Sequence, residues 1–117
     1  MCSNSLGTLE MKDQHDAIDY IYTTAPEFGK AKGRVAELEA YKSSLKSIMM
    51  KKSGELAIGA QEREAYASEE YQTLCKAIGE ATEMSETLKW RLESAKMRFE
   101  AWRTEQASNR NLERMTK

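Results

Sequence analysis

The sequence predicts an all-α fold: a long antiparallel helical hairpin, coiled-coil-like, with a short N-terminal helix. Three observations lead there. Between Tyr71 and Trp102 apolar residues return every three or four positions, with Tyr71, Ile78, Ser85, Leu92 and Phe99 at one heptad position and Leu74, Ala81, Leu88, Ala95 and Trp102 at the other. A seven-residue repeat keeps one face of a helix turned toward a partner helix. A second stripe of the same kind reads Phe28, Ala31, Val35, Leu38, Lys42, Leu45 and Met49. One proline, six glycines, 32% charged residues and no apolar–polar alternation leave little from which to build a sheet.

In chain order, residues 1–12 read as a polar, disordered leader, followed by one helical domain over residues 13–107. Asp13 stands as an N-cap, and Ala17, Ile18, Ile21 and Tyr22 give a helix over about residues 14–23 a short apolar face. So short a helix is marginal alone and must dock. Thr24 and Glu27 have the spacing of a capping box, with Pro26 in the first turn where proline is tolerated. A second helix is therefore expected over about residues 25–52, ended by Ser53 and Gly54. Its Gly29 and Gly33 share a small-residue face with Ala36 and Ala40, where another helix can approach closely. Residues 60–67 form a connector of one or two helical turns. Ser68 caps the third helix, with Glu69 and Glu70 favourably placed at its positive end. That helix is expected over residues 69–107, about 60 Å at 1.5 Å per residue, with a mobile basic tail over 108–117.

Short connections favour antiparallel neighbours. Sliding the second helix along the third so that the stripes match puts Met49 by Leu74, Leu45 by Ile78, Val35 by Leu88, Ala31 by Leu92 and Phe28 by Ala95. Phe99 and Trp102 overrun that pairing and need cover from the first helix or a second copy. A two-helix hairpin buries little apolar surface for its length, so a homodimer is expected.

Length and charge bound the function classes. A chain of 117 residues holds one domain with a real core. A net charge of −1 gives no bulk attraction for nucleic acid or an anionic membrane, so such binding must be local. No apolar run approaches the roughly 18 residues of a membrane helix, and no signal-peptide core opens the chain; a cytoplasmic, membrane-free protein is expected. Cys2 and Cys75 make no disulfide framework, and Cys75 flanks the stripe as a small packing residue. His15 is the one histidine, Glu62 and Glu64 do not share a helix face, and no phosphate loop or metal-ligand spacing occurs. A non-enzyme without metal or cofactor is expected.

Two surfaces remain as candidate sites. Trp90 and Met97 lie seven apart on the face of the third helix opposite the stripe, followed by Ala101. Together with Glu62, Arg63 and Tyr66 of the connector they are the expected protein-binding residues. Lys96, Arg98, Phe99, Trp102, Arg103 and Arg110 interleave basic and aromatic residues and form the alternative, a grip on single-stranded nucleic acid by phosphate contact and base stacking. Opposite-charge pairs such as Glu93 with Lys96 and Glu100 with Arg103 would instead make this an ordinary solvated face. A purely structural coiled-coil assembly unit is the third reading.

The run Ala60-Gln61-Glu62-Arg63-Glu64-Ala65-Tyr66-Ala67-Ser68, followed by Tyr71, Arg91-Leu92-Glu93, Ala95, Glu100-Ala101-Trp102-Arg103 and Ala107-Ser108-Asn109-Arg110, resembles a group of small phage and prophage proteins encoded beside single-strand annealing genes. The resemblance covers residues 42–110. It implies a phage accessory role in DNA recombination or in countering a host nuclease or defence system, with a host or phage protein as partner. It implies no catalytic residue.

Overall fold

Three helices account for the fold of this computed structural model, which describes residues 14–116: α1 (Gln14–Lys52), α2 (Ile58–Ala67) and α3 (Glu69–Thr116). No strand occurs among the described residues. The arms α1 and α3 make the long antiparallel helical hairpin, and the short α2 lies between them in sequence. The leader and the Asp13 cap lie outside the described residues.

The helices expected over 14–23 and 25–52 are one helix, α1, with Pro26 inside it. The reason is visible in the burial. Ala17, Thr24 and Ala31 are buried and Ile21, Phe28 and Val35 half-buried, so the stripe starting at Phe28 extends back in the same heptad register to Ala17. Continuity of that buried face outweighs the local stop signal of Thr24 and Pro26. Proline deprives the carbonyl four residues earlier, that of Tyr22, of its donor, but Pro26 and Tyr22 are both exposed, which leaves that carbonyl within reach of water. One residue on, the Thr23 hydroxyl donates to the carbonyls of Asp19 at 2.9 Å and Tyr20 at 3.3 Å. The expected Ile18–Tyr22 face is turned outward: Ile18 and Tyr22 are exposed, and Ile21 and Ala17 face inward.

At its far end α1 stops on Gly54, whose φ of +77° is the left-handed conformation that glycine adopts without a Cβ clash. The Ser53 hydroxyl donates to the Met50 carbonyl at 2.8 Å and accepts from the Glu55 N–H at 3.2 Å, closing the turn. The connector begins earlier than expected, as α2 from Ile58. Gln61 ties it back by donating from Nε2 to the Glu55 carbonyl at 2.9 Å. Ser68 caps α3 as its sequence implies: its Oγ accepts from the Tyr71 N–H at 3.2 Å while donating to the Ala65 carbonyl at 2.6 Å. α3 then runs to Thr116, so residues 108–116, expected as a tail, continue the helix. Their side chains are all exposed, which is why no apolar periodicity announced them.

The chain divides into two compact units. Unit 2, residues 28–87, holds the buried cluster Leu45, Met49, Ala65, Tyr71, Leu74 and Ile78, with Leu38, Met50 and Cys75 partly buried against it. The expected neighbours Leu45 and Ile78, and Met49 and Leu74, thus share one core. Cys75 is a free thiol packed at its edge. Unit 1 pairs residues 14–27 with 88–116. There Ala17, Thr24 and Ala95 are buried and Phe99 and Trp102 half-buried, and the two aromatics share this unit with the early turns of α1.

Candidate functional site: the outer faces of the helices

The protein-binding residues expected from sequence fall into separate units. Glu62, Arg63 and Tyr66 belong to α2 in unit 2, and Trp90, Met97 and Ala101 to α3 in unit 1.

On α2, two of the three are engaged within the chain. Lys46 of α1 donates from Nζ to Glu62 Oε2 at 3.3 Å and sits 4.9 Å from the centre of the Tyr66 ring. Tyr66 in turn meets Tyr71 edge to face, ring centres 5.2 Å apart, a favoured geometry for the ring quadrupoles. Tyr66 first and Glu62 second hold the Lys46 ammonium above its ordinary value of 10.5. A raised lysine pKa contributes stability that is complete below the unfolded value and is lost as pH rises through the folded one, so this tie is fully formed at neutral pH. Lys46, Glu62 and Tyr66 therefore dock α2 onto α1, whereas Arg63 is exposed beside them.

On α3, Trp90 and Met97 are 60% and 61% exposed, one heptad apart, with the exposed Ser94 between and Ala101 beyond. The Lys89 ammonium lies 5.3 Å from the Trp90 ring centre, a contact worth about 0.5–1 kcal/mol at an exposed site. That is far less than the gain from covering an indole, so the face retains a drive toward burial.

The basic aromatic set divides as well. Lys96 pairs with Glu93 at 3.5 Å and Arg103 with Glu100 at 3.2 Å, the two pairs that sequence spacing implies. Each is exposed and contributes little to stability. Phe99 and Trp102 lean together, centres 5.9 Å apart and planes tilted by 30°; half-buried, they offer only part of their ring faces. Arg98 is exposed. Trp102, Arg103 and Arg110 line a groove of about 500 Å³ along α3, with Glu100 also on its wall.

No group of three metal-ligating side chains converges among the described residues, and none of the helices is long and apolar enough to cross a membrane. Sequence reasoning missed one feature of unit 2. Tyr41 and Ile48 stand seven apart beside the stripe of α1, exposed at 46% and 41%, and a groove of about 520 Å³ opens between Tyr41 and Leu45 of α1 and Thr73, Leu74 and Ala77 of α3. Their spacing, one position before Lys42 and Met49, is the signal that could have shown it. The chain matches no family model, no curated protein and no solved structure.

Proposed function

We propose that this chain is a non-enzymatic helical accessory protein that acts by binding another protein, as a homodimer, in the cytoplasm of a host cell. The observation that carries the reading is the exposed pair Trp90 and Met97 on the outer face of α3. Tryptophan is the residue type most enriched among side chains that dominate binding energy, and methionine adapts its shape to a partner. The resemblance to small phage proteins supplies the setting: DNA recombination, or the blocking of a host nuclease or defence system. Affinity purification from phage-infected cells, with nuclease present, tests it. The wild-type chain is expected to retain a host or phage protein that a Trp90→Ala, Met97→Ala variant of unchanged helicity loses. The same protein captured by both removes the reading.

A second reading is favoured by the groove lined by Trp102, Arg103 and Arg110: binding of single-stranded nucleic acid by stacking and phosphate contact. Three phosphate contacts from Arg98, Arg103 and Arg110 predict a log–log salt slope of about −2 for a single strand. Filter binding checks this. Affinity unchanged on replacing the three arginines with glutamine removes it.

A further inference from the structure

We infer that the outer face of α3 around Trp90 and Met97 takes a single amphipathic helix of another protein, one whose apolar stripe is edged by basic residues on one side and acidic residues on the other. This rests on the protein-binding reading of that face and names the kind of partner it fits.

α3 carries two seams. Over the stretch from Trp90 to Ser108 its inner one, Leu92, Ala95, Phe99, Trp102 and Gln106, is buried or half-buried. The second returns at Trp90, Ser94, Met97, Ala101, Thr104 and Ser108, in alternate steps of four and three, and all six residues are exposed. Seven of the 19 residues from Trp90 to Ser108 are charged, and none stands on this outer stripe. A solvated helix face carries charges at such positions, whereas an uncharged stripe with a seven-residue repeat is what a helix presents to another helix. The stripe runs about 27 Å, or about five turns.

Shape and charge say what lies on it. The small Ser94 and Ala101 alternate with the large Trp90 and Met97, so the stripe offers holes between two knobs. Large aliphatic side chains of a facing helix fill such holes while Trp90 and Met97 enter holes of its own. Glu93 and Glu100 stand seven apart along one edge of the stripe, and Arg91 and Arg98 seven apart along the other. These positions flank a seam, and charged side chains there select the partner and fix its direction. Glu93 and Glu100 meet Lys96 and Arg103 of their own helix at 3.5 and 3.2 Å. Exposed pairs of this kind are worth little, so both carboxylates can exchange them for the cations of a facing helix. A helix with lysine or arginine along the glutamate edge and glutamate or aspartate along the arginine edge therefore fits over residues 91–100, beyond which Glu105 ends the basic edge.

Fluorescence anisotropy with labelled synthetic helices tests this on the full chain. Three peptides of four heptads share one leucine seam: the first has lysine on one edge and glutamate on the other, the second lysine on both, the third glutamate on both. The mixed peptide can match both edges of the stripe in one of the two chain directions, whereas each uniform peptide matches one edge and is repelled by the other. The mixed peptide is expected to bind about tenfold more tightly than either uniform one, and about tenfold more weakly to a Trp90→Ala, Met97→Ala chain of unchanged circular dichroism. An Arg91→Glu, Arg98→Glu chain, both of whose edges are acidic, is expected to prefer the all-lysine peptide. That reversal is a gain of binding, so it decides the question even where the first variant loses helicity. Equal affinity for the three peptides, no binding at about 100 µM chain, or a preference that the arginine substitutions leave unchanged overturns the inference, while capture from infected cells tests the protein-binding reading of Trp90 and Met97 separately. Light scattering supplies one more outcome: a wild-type dimer that the Trp90→Ala, Met97→Ala substitutions dissociate makes a second copy the occupant and overturns the inference as well.

Discussion

Leu74→Ala is expected to destabilise the fold by about 3 kcal/mol, the middle of the range for a buried leucine truncated to alanine. Leu74 is 7% exposed and belongs to the cluster that holds residues of all three helices: Leu45 and Met49 from α1, Ala65 from α2, Tyr71 and Ile78 from α3. Cutting it back opens a space in a cluster built from both arms and the connector at once. A loss of that size is a large part of the total for a domain whose stability lies at about 5–15 kcal/mol. Trp90→Ala is the control. It removes a larger side chain from a position 60% exposed, and its expected cost is below about 1 kcal/mol, as for surface substitutions generally. Urea denaturation followed by circular dichroism measures both, with the midpoint falling well below wild type for Leu74→Ala alone. Equal losses would mean that Trp90 is a core residue and that the assignment of inner and outer faces of α3 is wrong.

The opposite sign is expected from three glycines. Gly29, Gly33 and Gly79 lie inside helices, and a Cβ built at each meets nothing within 4 Å. Alanine at each therefore removes conformational freedom from the unfolded chain without a clash in the folded one, about 1 kcal/mol per site and about 2–3 kcal/mol for the triple substitution. Gly54 has equal space around it but a φ of +77°. Alanine there must adopt the left-handed conformation at a cost of about 1–2 kcal/mol, so the same substitution reverses its effect. Thermal unfolding of the triple variant and of Gly54→Ala reads both. A triple variant less stable than wild type would show that the Gly29–Gly33 face is closely packed after all. Among the described residues, no helix packs against the small-residue face at those two positions.

Much of the fold could be read from residue order because a heptad is a local, repeated signal. The stripes over residues 28–49 and 71–102 define the two arms, their matching predicts the shared core of Leu45, Met49, Leu74 and Ile78, and Ser68 marks the start of α3 by a hydroxyl that bonds its own helix. The pairs Glu93–Lys96 and Glu100–Arg103 follow from three-residue spacing in the same way. At Pro26 the local reading failed, because a capping-box pattern is judged over four residues whereas the helix is held by a buried face running from Ala17 to Met49.

By itself, then, the sequence determined the helical class, the two arms, their direction and the outward position of Trp90 and Met97, all consequences of spacing along one helix. Tertiary structure alone decided what those spacings leave open. It drew Glu62 and Tyr66 into the dock of α2 through Lys46, and it put Phe99 and Trp102 in one compact unit with the early turns of α1. It also packed α2 into the core of unit 2 through Ala65 and left Tyr41, Ile48 and Met84 exposed. The physical reason is that periodicity fixes which residues of a helix point the same way, whereas the element that covers a face is chosen by contacts between residues distant in the chain.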